Sequence, residues 1–60
     1  MEWVIYTEEN GEIHYAKDLD DSTDDIDLAM HFSSKKDAET WVGYLKEEWG
    51  DIGFKIKEIK

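Results

Sequence analysis

Trp3-Val4-Ile5-Tyr6-Thr7-Glu8-Glu9-Asn10-Gly11-Glu12-Ile13-His14-Tyr15-Ala16-Lys17 is the stretch that decides the fold. Two runs rich in aromatic and β-branched residues, the side chains that fit a pleated and half-buried surface, flank a polar break ending in glycine. Gly11 can take the positive φ that a tight connection between antiparallel strands demands, so the stretch reads as a β-hairpin. Two registers are open. A two-residue Asn10-Gly11 loop sets Tyr6 opposite Tyr15. A type I turn with a glycine bulge instead sets Ile5 opposite Tyr15 and gathers Trp3, Ile5, Ile13 and Tyr15 on one face. The second is the expected register, because it sends the bulkiest apolar set to one side.

Downstream, residues 18–27 hold six aspartates around Ser22 and Thr23. Mutual repulsion predicts a solvated, extended loop. Ile26, Leu28, Met30 and Phe32 then alternate with Asp27, Ala29 and His31, the spacing of a third strand or edge segment. A helix follows. Ser33 or Ser34 can cap it, and Ser34-Lys35-Lys36-Asp37 approximates a capping box with Asp in place of the longer acid. Ala38, Trp41, Val42, Leu45 and Trp49 recur at steps of three and four as one apolar stripe. Gly43 inside the helix suggests close approach to the sheet, and Gly50 suits the left-handed residue that ends it. Ile52, Phe54 and Ile56 alternate as a last strand. Ile59 falls out of phase, which a bulge or frayed end near Glu58 would explain.

The order β-β-(β)-α-β predicts an α+β fold: a small antiparallel sheet of three or four strands with one helix packed on one face, in a single domain over residues 1–60. Trp3, Ile5, Ile13, Tyr15, Phe32, Trp41, Leu45 and Phe54 form most of the expected core. A chain this short buries only about 60% of the surface its unfolded form exposes. No cysteine reinforces it.

Charge is distributed unevenly. Residues 1–27 carry ten carboxylates against Lys17 alone, while residues 28–60 carry six carboxylates and six lysines. The whole formal charge of −9 therefore belongs to the first 27 residues. Such a field speaks to partners more than to fold. Direct nucleic-acid binding is disfavoured, because phosphate repels this surface and no arginine is present to grip it. No apolar run approaches the roughly 18 residues of a membrane span, and Glu2 stands where a secretory signal carries positive charge. The expected setting is soluble and intracellular.

Calcium is the first ligand an aspartate-rich loop suggests. Counting an EF-hand from Asp18 puts Thr23 at the sixth position and Ala29 at the twelfth; from Asp20 it puts Asp25 and His31 there. Neither supplies the required glycine and glutamate. No cofactor is expected. His14 and His31 lack any nucleophile or metal-ligand spacing, and a thin core leaves little to line a catalytic pocket, so the chain is expected not to be an enzyme.

Two accounts of the acidity remain, plain solubility and electrostatic complementarity to a basic protein surface. On the second, Glu8, Glu9, Glu12, Asp18, Asp20, Asp21, Asp24, Asp25 and Asp27 imitate nucleic-acid phosphates. Tyr6 and Tyr44, off the expected core faces, add apolar contact. A homodimer through an exposed sheet edge is the alternative role.

The hairpin, Ala29-x-x-Phe32-Ser33-Ser34, the helix with Ala38 and Trp41, and the closing Phe54-x-Ile56 together resemble small acidic accessory proteins of phages and mobile elements of low-GC Gram-positive bacteria. That resemblance implies an inhibitor of host defence, of the anti-CRISPR or anti-restriction type, which blocks a nucleic-acid channel. It carries over no individual functional residue.

Overall fold

A computed structural model describes residues 2–59. Strand β1 (Trp3–Glu9) and β2 (Glu12–Asp18) form the hairpin, followed by β3 (Asp21–Thr23), a single 3₁₀ turn (Ile26–Leu28), the helix α1 (Lys35–Trp49) and β4 (Lys55–Glu58). All strand pairs are antiparallel, in the order β3-β2-β1-β4. The helix packs on one side of this sheet, giving the α+β class.

The hairpin adopts the register that sets Tyr6 opposite Tyr15, which corrects the bulged expectation. Asn10 and Gly11 both have positive φ, at 54° and 82°. Two successive left-handed residues make the tight two-residue turn whose twist matches that of the strands, and asparagine is among the few non-glycine residues that tolerate it. Turn chemistry thus outweighs the hydrophobic pattern. One consequence follows from strand alternation: Trp3, Ile5 and Thr7 face the helix together with His14 and Ala16, whereas Val4, Tyr6, Ile13 and Tyr15 face away. Ile13 and Tyr15 therefore leave the expected core, and Tyr15 packs at a tilt on Tyr6, with ring centroids 6.3 Å apart.

The third strand lies in the aspartate-rich segment, not at residues 26–32. Three of the short acidic side chains there bond nearby backbone and so specify turns. Asp18 accepts from Leu19 N–H at 2.7 Å, Asp21 from Ser22 N–H at 2.8 Å, and Asp25 caps the 3₁₀ turn by accepting from Asp27 N–H at 2.9 Å. The aspartates stay exposed because β3 is an edge strand. Residues 30–32 are held where β1 and β2 separate. Met30 N–H donates to Ala16 C=O at 2.9 Å, and Trp3 and Phe32 exchange both backbone hydrogen bonds at 2.9 Å.

Ser34 caps the helix by accepting from Asp37 N–H at 3.2 Å, and Gly50, at φ 85°, ends it with a bond to Lys46 C=O at 2.8 Å. Ile5, Ala16, Phe32, Ala38 and Leu45 form the buried centre, flanked by Trp3, Met30, Trp41, Val42, Phe54 and Ile56. Gly43 does not approach the sheet: a methyl group there would meet nothing within 4 Å. It costs the helix about 1 kcal/mol against alanine without any packing return. Strand β4 pairs with β1 without a bulge. Ile59 is out of phase because it lies on the sheet face opposite to Ile56, where its N–H donates to Glu2 C=O at 2.9 Å.

Candidate electrostatic interface

The registers place acids against acids at both ends of β2. Glu9 stands directly opposite Glu12 across the first turn, and Asp18 directly opposite Asp21 across the second. Like charges in facing positions of a sheet are unfavourable. Little offsets them: Lys17 reaches Asp21 only at 4.0 Å in an exposed pair, and His14 lies 3.5 Å from Glu12, an ion pair only when the imidazole is protonated.

The nine acids expected to meet a partner are all exposed, in two groups. Asp18, Asp20, Asp21, Asp24, Asp25 and Asp27 gather at the β3 edge, from the β2–β3 turn to the 3₁₀ turn. Glu8, Glu9 and Glu12 occupy the hairpin tip. The two groups are separated by the length of β2, about 20 Å at about 3.3 Å per residue. Tyr6 and Tyr44 do not come together. Tyr6 is half-buried on the face away from the helix, and Tyr44 is exposed on the helix itself, edge-on to Trp41 with centroids 5.5 Å apart. Among the described residues, no three His, Cys, Asp or Glu side chains are grouped to hold a metal ion, and no helix is long and apolar enough to cross a membrane.

Two features of this region were not legible in the sequence. Trp49, on the apolar stripe expected to pack against the sheet, is 45% exposed. It lies in the last turn of the helix, beyond the buried centre, and its indole Nε1–H donates to Leu19 C=O at 2.8 Å, tying the helix end to the acidic β2–β3 turn. Beside it opens a recess of about 240 Å³ between the helix end and the sheet, whose lining includes His14 and Asp21 from the sheet, Leu45 and Trp49 from the helix, and Ile52 and Phe54 beyond it. Residues 30 apart in sequence meet there, so no local motif signals it.

The second feature is a clasp at His31. Its Nδ1 meets a carboxylate oxygen of Glu2 at 2.5 Å and its Nε2 meets Ile26 C=O at 2.9 Å. Both partners accept, so only the doubly protonated ring satisfies both. The Ile26 carbonyl first, then the Glu2 carboxylate, raise the His31 pKa above its ordinary value of 6.5, with desolvation opposing them and the field of Asp27 adding to them. Stability from this clasp is fully present below the unfolded-state pKa and is lost as pH rises through the raised native value. The melting temperature of the wild type relative to His31→Gln is therefore expected to be highest near about pH 5.5 and to shrink towards about pH 8. A pH-independent difference would show that the clasp does not depend on protonation.

Comparison of the chain with protein-family models, with curated proteins and with solved structures finds no match.

Proposed function

We propose that the protein is a non-enzymatic inhibitor that binds a basic, nucleic-acid-handling protein, such as a host-defence nuclease, through the acidic ends of β2. The observation that carries this reading is the pair of facing-acid positions, Glu9 with Glu12 and Asp18 with Asp21. Solubility needs net charge but no particular pairing. Carboxylates held opposite one another on a sheet raise the local negative potential at a cost to the free protein, and a lysine- or arginine-lined groove relieves that cost on binding. A phosphate-binding groove has such a lining. The association to phage and mobile-element inhibitors belongs to the same reading.

The test is a variant with Asp20, Asp21, Asp24 and Asp25 replaced by Asn. Asparagine keeps the oxygen that Ser22 and Asp27 N–H groups bond, so the fold survives and is expected to gain stability as repulsion falls. A target captured from a bacterial lysate and eluted with salt should bind nucleic acid, and the wild-type protein should compete for that site. The variant should bind it at least about tenfold more weakly at about 50 mM salt, with the difference narrowing at about 200 mM. Equal affinity of the two proteins at both salt concentrations would remove the mimicry reading.

A sheet-edge homodimer is the competing role, since β3 and β4 both leave an edge open. Both edges are short and charged, features that hinder edge-to-edge pairing. Sedimentation of the isolated protein separates the two roles.

A further inference from the structure

We infer that the recess beside Trp49 receives an arginine side chain of the basic partner, an inference that rests on the acidic interface proposed above. The recess stands between the two acidic groups. On the helix-facing side of the hairpin, Thr7 and His14 are paired at its floor, and the next pair on that face is Glu9 with Glu12. On its other side Trp49 is bonded to Leu19, whose chain neighbours are Asp18 and Asp20. A cationic surface that engages both ends of β2 from this side must cross the opening.

What the recess offers is specific in chemistry. Its volume of about 240 Å³ suits one long side chain and lies below the roughly 300 Å³ at which small-molecule sites begin. Trp49 and Phe54 supply aromatic surface, and the bond to Leu19 fixes the indole before a partner arrives, so little ordering is required on binding. A guanidinium is planar, weakly hydrated and stacks on aromatic faces, while its aliphatic stem covers apolar groups such as Ile52 and Leu45. Lysine is a compact and more strongly hydrated cation that gains less there. The surrounding carboxylates attract either. The aromatic wall is what distinguishes them.

The probes are octa-arginine and octa-lysine peptides, added to the ¹⁵N-labelled full chain and followed by NMR. Octa-arginine should bind more tightly than octa-lysine and should shift the Trp49 indole N–H signal saturably, a readout in the wild type that needs no variant. Trp49→Leu should reduce octa-arginine affinity about fivefold, to near the octa-lysine value, with its salt dependence unchanged. Trp49→Phe loses the bond to Leu19 but keeps an aromatic wall, so it should retain most of the preference; behaviour like that of Trp49→Leu would assign Trp49 a structural role and overturn the inference. Salt-sensitive binding of both peptides with equal affinity and an unmoved Trp49 signal would overturn the arginine site while leaving the acidic interface standing. Absence of binding to either peptide at about 50 mM salt would overturn both.

Discussion

Replacing Leu45 by alanine is expected to lower the free energy of unfolding by about 2 to 5 kcal/mol, the range for deleting a buried leucine side chain from a close-packed core. Leu45 is 1% exposed and joins the helix to Ile5, Ala16 and Phe32. Domains hold roughly 0.05 to 0.15 kcal/mol per residue, so a chain this size has about 3 to 9 kcal/mol in all. The variant should therefore lose a large share of that stability, and all of it where the total lies at the low end of the range. Urea titration followed by tryptophan fluorescence reads the change directly. A loss below about 1 kcal/mol would mean that the helix does not pack on the sheet as described.

The second large effect separates two isoleucines of the same hairpin. Ile5→Ala should cost about 2 to 5 kcal/mol, whereas Ile13→Ala should cost less than about 1 kcal/mol. Ile5 is fully buried under the helix, while Ile13 is 37% exposed on the opposite face. In the bulged register both would lie in one core and both would be costly. Comparable losses in the two variants, measured by the same titration, would overturn the two-residue turn.

That contrast also shows where the sequence was legible. The existence of the hairpin followed from β-branched and aromatic runs on either side of Asn10-Gly11. Its register did not follow from hydrophobicity, because Val4 and Ile5 are adjacent, point to opposite faces and are both fully buried. A pattern apolar on both faces cannot choose between them. The turn could have chosen: asparagine followed by glycine is the strongest local signal for two consecutive left-handed residues. The helix was legible at both ends, since the Ser34 cap and the Gly50 stop are local chemistry. Trp49 was not, because periodicity reports which side of a helix is apolar and not how far along it the core extends.

The acidic surface was partly legible. Its composition and position in the chain are sequence facts, and so is the exposure expected of six aspartates in ten residues. Their tendency to specify turns was underweighted. Repulsion suggested an extended loop, yet the side chains of Asp18, Asp21 and Asp25 bond backbone groups one or two residues on and help to shape a hairpin and a 3₁₀ turn.

By itself, then, the sequence determined the α+β class, the existence of the hairpin, the capped helix, and the concentration of negative charge in residues 1–27. These depend on interactions between near neighbours, which a linear string records. Only the tertiary structure decided which acids face one another across β2, that His31 bridges Glu2 and Ile26, and that Trp49 closes a recess against the β2–β3 turn. Each of the last two joins residues far apart in the chain through contacts fixed by strand register and helix placement, and those are set by the packing of the whole domain.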